Sequence, residues 1–175
     1  MPVPVAPSFE DLYNDELDYV WHTLRRLGAP EHEREDLAHE VFVVVHRRLH
    51  TFDARRPLRP WLFGIAYRVL SGHRRRAQHR RELLDDAPDG RAHASPSAED
   101  RLIAGDRRRL VLAALAQLPL ERRAVFVLYE LDDAPMREIA ERLQLPLNTC
   151  YSHLRRARRD FAGIVERLRR DGDDR

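Results

Sequence analysis

Residues 136–161 combine helical periodicity with a dense set of arginines. Ile139 and Leu143 lie at helical spacing, and Pro146 prevents a single helix from running through the whole segment. After the proline, apolar residues continue on one helical face for several turns, namely Cys150, Leu154, Ala157, Phe161, Ile164 and Leu168. The pattern predicts a helix, a tight turn and a longer helix that Asn148 would cap at its N-terminus.

The opposite face of the longer helix carries hydrogen-bond donors and positive charge. Side chains near the N-terminus of such a helix can reach base edges in the major groove of DNA, while arginines further along hold phosphates. We therefore predict a DNA-binding face made of Asn148, Thr149, Tyr151, Ser152, His153, Arg155, Arg156, Arg158 and Arg159. Taken alone, the segment also fits an ordinary helical hairpin with a solvated arginine face. The choice between the two interpretations depends on the rest of the chain.

The basic residues are unevenly distributed along the chain. All 31 of them are Arg, yet the formal net charge of the 175 residues is only +2. The arginines cluster at residues 74–81, 107–109 and 155–159. Local positive charge, and not the net charge, therefore indicates where an anionic partner would bind.

Nothing in the sequence indicates export or insertion into a membrane. The N-terminal segment lacks a charged region followed by an apolar core, and no apolar run approaches membrane-spanning length. The single cysteine, Cys150, cannot form an internal disulfide and lies on an apolar stripe, where a buried thiol is expected. We therefore expect a cytoplasmic protein.

Helices are also predicted upstream of this segment. Apolar residues recur at helical spacing in three stretches, residues 9–27, 37–49 and 61–69. Gly28 suits the end of the first helix, and Pro60 suits the first turn of the third. The run from Val41 to Val45 favours a strand in isolation, but its polar neighbours favour a buried helical segment.

A stretch without periodicity divides the chain. Residues 82–97 contain prolines, a glycine and several aspartates, which predicts a flexible linker. The predicted fold is all-α, with two small helical domains at residues 8–81 and 98–171.

The second domain opens with its own start signal. Ser97 and Asp100 form a plausible capping box for a helix through Leu118, and Pro119 breaks that helix. Apolar residues then lead through Leu131 into the helix-turn-helix that ends the domain.

With both halves considered, the sequence resembles the extracytoplasmic-function (ECF) group of bacterial RNA polymerase sigma factors. In the N-terminal half the resemblance is carried by EDLAHEVFVVVHRRL at residues 35–49 and by PWLFGIAYRVLSGHRRR at residues 60–76. In the C-terminal half it is carried by LAQLPLERRAVFVLYEL at residues 115–131 and by the helix-turn-helix. The resemblance spans nearly the whole chain. It implies a sigma factor that binds core RNA polymerase and directs promoter-specific transcription initiation.

The resemblance also implies roles for individual positions. The segment that docks on core polymerase in the family matches Asp36, Leu37, His39, Glu40 and Phe42. The parts that capture and face the melted -10 strand match Phe52, Asp53, Arg55, Arg56, Arg59, Arg68, Arg74, Arg75 and Arg76. The predicted DNA-binding face after Pro146 matches the region that reads the -35 element. We expect Trp61, beside the -10 loop, to lie in the core because aromatic residues at helical spacing usually pack there.

Four positions depart from the family's usual residues. His39 stands where Gln is common, and Gln144 replaces a frequent turn glycine. Tyr151 and His153 replace arginines that are common on the -35-reading helix.

Other kinds of site are weakly supported. His39, His46 and His50 could present metal ligands along a helix, but no further ligand is positioned to close a site, so we expect no metal and no cofactor. No phosphate-binding glycine loop or catalytic set is present, and we expect no enzyme activity.

Two other classes of DNA-binding protein are alternatives. A stand-alone helix-turn-helix regulator that does not bind core polymerase would need dimerisation or effector surfaces in its N-terminal half. A recombinase would need a catalytic domain with a nucleophile, which nothing in the sequence resembles. The sigma-factor resemblance further implies an anti-sigma factor as a partner.

Overall fold

The computed structural model describes residues 7–83 and 106–173. These residues form seven α-helices and no strand, which confirms the predicted all-α class. The helices are α1 Phe9–Leu27, α2 Glu31–Arg48, α3 Leu58–Leu83, α4 Asp106–Ala116, α5 Leu120–Glu130, α6 Met136–Leu143 and α7 Leu147–Asp173. The predicted linker lies outside the described residues except for its first two, which end α3, and so does the proposed capping box of Ser97 and Asp100.

Helix α1 begins and ends with local signals that the sequence contains. The Ser8 hydroxyl accepts a hydrogen bond from the backbone N–H of Asp11 at 3.1 Å and so caps the first turn. At the other end Gly28 adopts a left-handed conformation with φ 82°, and its N–H donates to the carbonyl of Arg25 at 3.0 Å. The predicted end of the helix at Gly28 is therefore confirmed.

Helices α1, α2 and α3 pack together and bury the predicted stripes. Trp61 is buried, as expected. The segment from Val41 to Val45 is helical, but only part of it is buried, because Val43 points away from the core and is 37% exposed. A short 3-10 turn at Leu49–Thr51 then leads into the loop before α3.

The turn of the helix-turn-helix is fixed by backbone hydrogen bonds. Gln144 ends α6 in a left-handed conformation with φ 56°, which explains why a glycine would suit this position. The N–H of Leu145 donates to the carbonyl of Ala140 at 2.9 Å, and the Pro146 carbonyl accepts from Cys150 at 3.1 Å. Helix α7 therefore begins at Leu147. The prediction that Asn148 caps it is wrong, because Asn148 lies inside the first turn.

The two halves of the chain pack against each other. One cluster of buried apolar side chains includes Leu24 and Phe63 from the first half and Val125 and Ile139 from the second. Helix α3 contacts α6, and α1 contacts both α4 and α5. Of the apolar residues predicted to lead into the helix-turn-helix, Leu131 stays outside this core and is 44% exposed.

Candidate nucleic-acid interface

The predicted DNA-binding face of α7 is open to solvent. Tyr151 is 53% exposed near the start of the helix, and Arg155 and Arg156 are exposed one turn later. The other side of the same helix is anchored, because Cys150, Leu154 and Ala157 are buried in the core. The arrangement holds a rigid helix with its basic side outward, as major-groove recognition requires.

The arginines on this face differ in how they are held. Arg158 donates to a carboxylate oxygen of Glu130 at 2.6 Å, and its guanidinium lies 5.4 Å from the Tyr129 ring centroid. Arg159 pairs with Asp160 at 3.0 Å. Arg155 and Arg156 make no ion pair or side-chain hydrogen bond within the described part of the chain. They are therefore the two arginines on this face that DNA can engage without first breaking an ion pair.

His153 does not share that exposure. It is half-buried toward α5, and its Nδ1 atom is buried without a hydrogen-bond partner in the described residues. Burial lowers the pKa of the imidazole, and the nearby Arg122 lowers it further, so His153 is neutral at pH 7. The DNA-reading role of His153 stays a prediction, as do those of Asn148, Thr149 and Ser152, which are also at least partly exposed.

The loop predicted to capture a -10 base is ordered by contacts of its own. The Phe52 ring packs on Trp61 with 5.1 Å between centroids, and it is half-buried, not fully exposed. Asp53 accepts two hydrogen bonds from the Arg55 guanidinium, at 2.9 and 3.0 Å. These bonds lower the pKa of the Asp53 carboxyl.

Two arginines of the predicted -10 surface are engaged by α6 of the other half. Arg56 donates to both carboxylate oxygens of Glu141, at 2.5 and 2.8 Å, and reaches Glu138 at 3.4 Å. The half-buried Arg68 donates to the backbone carbonyl of Arg142 at 3.0 Å. Burial lowers the pKa of Arg68. Arg59, by contrast, pairs with Glu16 of its own half at 3.0 Å.

The run of arginines at the middle of α3 does not act as one unit. Arg74 turns inward and donates to the carbonyls of Leu27 and Gly28 at 3.1 and 2.8 Å, which satisfies the end of α1. Arg75 is exposed, and Arg76 lies 3.4 Å from Glu40. The guanidinium of Arg74 is therefore occupied by structural bonds, which its predicted contact with the -10 strand would have to break.

A second arginine, on α5, also donates hydrogen bonds to the end of α1. Arg123 is buried and donates to the carbonyls of Leu27, Ala116 and Leu118 at 2.6, 2.6 and 2.8 Å. Burial and the neighbouring Arg74 lower the pKa of Arg123 to about 9, which leaves it charged at neutral pH. A Cβ atom on Gly28 would overlap this guanidinium, so glycine is needed both for the helix end and for the close approach. Sequence reasoning missed Arg123, which periodicity alone does not distinguish from Arg122.

The predicted polymerase-docking segment contains both buried and exposed side chains. Leu37 and Phe42 are each 2% exposed and belong to the core, so their side chains are not available to a partner in this structure. Asp36 and His39 are exposed on the outer face of α2, with Glu40 half-buried. Val43 extends that face by one turn and is the exposed apolar residue that the sequence interpretation assigned to the core.

His46 of α2 packs against α1. The His46 ring lies edge-on to Phe9 with 4.9 Å between centroids. Among residues 7–83 and 106–173, no three potential ligand side chains gather as a metal site. No helix in these two ranges is long and apolar enough to cross a lipid bilayer.

An all-helical fold in the described residues, with an outward basic helix after a tight turn, is typical of DNA-binding proteins of the helix-turn-helix class. Two family models match it in order, Sigma-70 region 2 over residues 12–80 and Sigma-70, region 4 over residues 108–161. The chain belongs to the ECF group of RNA polymerase sigma factors, which confirms the family and disfavours the stand-alone regulator.

Individual relatives support this family. The chain is 30% identical over 160 residues to the ECF RNA polymerase sigma factor SigE of Mycolicibacterium smegmatis, covering 89% of this chain but only 60% of SigE. It is 30% identical over 121 residues to SigL of Mycobacterium tuberculosis, covering 69% and 67% of the two chains.

The fold also matches a solved structure. The sigma factor RpoE of Bartonella quintana, in a co-crystal with the anti-sigma factor NepR, has a TM-score of 0.75 over 90% of this chain and 96% of RpoE. At 17% sequence identity, this likeness concerns the fold alone.

Proposed function

We propose that this chain binds core RNA polymerase and directs it to promoters, with the N-terminal half holding the melted -10 strand and α7 reading the -35 element. The observation that carries the proposal is the outward face of α7. Tyr151, Arg155 and Arg156 are exposed there, while the opposite side of the helix is buried in the core. Arginine donors suit guanine edges in the major groove, and nearby arginines suit phosphates.

The polymerase contact is assigned to the outer face of α2. Asp36, His39 and Glu40 supply polar contacts there, and Val43 supplies an apolar surface on the next turn of the same face. Leu37 and Phe42 support this face from beneath as core residues. A charge placed at Leu37 would therefore unfold the N-terminal half and would not test docking.

Several further properties follow as parts of the proposal. Catalysis belongs to the polymerase, and this chain supplies recognition without a cofactor. It acts in the cytoplasm, where core polymerase is found. The co-crystal of RpoE with NepR supports an anti-sigma factor as a regulator of this chain too.

The test is reconstitution with core RNA polymerase, followed by run-off transcription across genomic DNA. We expect a stoichiometric complex that initiates at a defined promoter set. Val43→Asp should weaken binding to core polymerase at least about tenfold while its circular dichroism stays that of the wild type. Glu10→Ala, which alters an exposed residue of α1, is the matched control and should bind normally. A chain that binds DNA but leaves core polymerase alone would contradict the proposal.

A further inference from the structure

We propose that Tyr151 and Leu154 form an apolar contact for the C5-methyl group of thymine. Through this contact the chain prefers a T·A pair at one position of the -35 element. The inference rests on the proposed role of α7 and deepens it by naming a base that the helix reads and the side chains that read it.

A shallow depression on the outward face of α7 brings the two side chains together. Leu154 is 4% exposed and lies at the base of the depression, because the rest of its side chain packs into the core. Tyr151 is 53% exposed and stands beside it, three positions earlier on the same helical face. The other residues that line the depression are polar or charged, namely Ser152, Arg155, Arg158 and Arg159. The DNA-binding face therefore contains a small apolar surface surrounded by hydrogen-bond donors.

The exposure of Tyr151 sets it apart from other tyrosines on the surface. Tyr13 and Tyr129 are 37% and 36% exposed. Tyr13 packs on Phe42 with 4.7 Å between ring centroids, and the Arg158 guanidinium lies over Tyr129. Tyr151 makes no ring contact and no side-chain hydrogen bond with the described residues. A single exposed tyrosine is ordinary on a protein surface, so its significance comes from its place in the depression on a DNA-binding face.

Helix α5 keeps one of the neighbouring arginines away from Tyr151. The Nε atom of Arg158 donates to a carboxylate oxygen of Glu130 at 2.6 Å, and its guanidinium carbon lies 5.4 Å from the Tyr129 ring centroid. These contacts hold the guanidinium toward α5, so it does not stack on the Tyr151 ring. Arg155, one turn after Tyr151, makes no ion pair within the described part of the chain and can hold a phosphate. The apolar surface thus stays uncovered while charges beside it attract DNA.

The major groove offers one chemical partner for such a surface. All four bases present hydrogen-bond donors or acceptors there, and thymine alone adds a C5-methyl group. Tyr151 lies four positions after Leu147, the first residue of α7, in the part of a recognition helix that reaches base edges. A methyl group placed between the Tyr151 ring and Leu154 removes apolar surface from water on both partners, which favours thymine at the contacted position.

The hydroxyl of Tyr151 provides a competing explanation, because it can donate a hydrogen bond to a base or a phosphate. The two contacts need different atoms, the ring for a methyl group and the oxygen for a hydrogen bond. Phenylalanine keeps the ring and removes the hydroxyl, whereas serine keeps a hydroxyl and removes the ring. Because Tyr151 is exposed, neither substitution disturbs the core.

The test begins with selection of duplexes from a random-sequence library by the full chain. Each thymine of the preferred duplex is then replaced in turn by deoxyuridine, which lacks only the C5-methyl group. At one position the replacement should weaken binding by the wild-type chain about fourfold. That ratio should persist in Tyr151→Phe and fall to about one in Tyr151→Ser. Arg155→Ala is the matched control on the same face, and it should weaken binding to both duplexes equally and keep the ratio.

Three results would overturn the inference: no thymine whose replacement weakens binding, a wild-type ratio in Tyr151→Ser, or a lost ratio in Tyr151→Phe. Tyr151→Arg gives a second readout, because a guanidinium pairs with O6 and N7 of guanine. Selection with this variant should change the preferred base at that position from thymine to guanine, and retained thymine would contradict the contact. Failure of the wild-type chain to bind core polymerase would overturn the proposed function and leave the duplex comparison valid. Failure to enrich any duplex would overturn both.

Discussion

Two arginine-rich surfaces of this chain have opposite availability. On α7, Arg155 and Arg156 point into solvent without an ion pair among the described residues. On the loop and α3 of the N-terminal half, Arg56 and Arg68 are taken up by α6. Both surfaces are similarly basic in sequence. The difference teaches that an arginine cluster marks where an anion could bind, whereas the fold decides whether it can bind now.

The largest expected effect compares two neighbours on α5. Arg123→Gln removes a buried charge that satisfies three carbonyls, so we expect the free energy of unfolding to fall by about 2 to 4 kcal/mol. Arg122→Gln alters a more exposed pair with Asp160 and should cost about 0.5 kcal/mol or less. Urea denaturation measures both. Similar losses for the two variants would mean that the bond from Arg123 to the Leu27 carbonyl does not stabilise the packing of the two halves.

The next effect concerns the open surface. Arg156→Ala should weaken binding to the cognate -35 duplex by about 1 to 3 kcal/mol and flatten the preference at one or two base pairs. Arg159→Ala should weaken matched and scrambled duplexes alike and reduce the salt slope by about one, since Arg159 lies further along the helix. Binding of the full chain to both duplexes across a salt series separates the two roles. An unchanged matched-to-scrambled ratio for Arg156→Ala would rule out base reading through that residue.

Acidification tests how α7 is anchored behind its open face. The pKa of His153 is lowered in the folded chain by burial, then by Arg122, with Glu121 opposing and Arg156 adding to the effect. Below about pH 6.5 the unfolded chain therefore binds a proton that folded His153 does not, and stability falls as pH falls. His153→Gln should remove that loss of stability between pH 7 and pH 5. His50→Gln, at an exposed position, is the control, and an identical pH profile for both variants would contradict the assignment.

The smallest effect is expected at the ion pair between Arg56 of the predicted -10 surface and Glu141 of α6. The side chains of Arg56 and Glu141 are 33% and 56% exposed, so their pair contributes only about 0.5 kcal/mol. Glu141→Gln should therefore raise single-strand affinity about twofold. Glu31→Gln makes the same change of charge at an exposed site on α2 and controls for net charge. If Glu31→Gln raised the affinity equally, long-range charge would explain the gain and the ion pair would not.

Features that depend on local sequence were predicted well. The end of α1 at Gly28, the break at Pro119 and the turn after α6 all use residues whose own backbone preferences fix the structure. The predicted cap of α7 at Asn148 was misplaced. The Pro146 carbonyl already accepts a helical hydrogen bond from Cys150, and the helix begins at Leu147. Val43 was assigned to the core because a run of valines does not reveal which member faces outward.

The sequence by itself determined the helices, the helix-turn-helix and the family, because periodicity, caps and turn residues act over a few positions. Only the tertiary structure decided which arginines are available. Arg68 meets its partner carbonyl on Arg142, 74 positions along the chain, and Arg123 meets Leu27 across 96 positions. Such pairings depend on how the two halves pack, and neighbours in sequence carry no record of them. Arg122 and Arg123 stand side by side in the sequence, but Arg122 is partly exposed in a pair with Asp160 and Arg123 is buried between the halves.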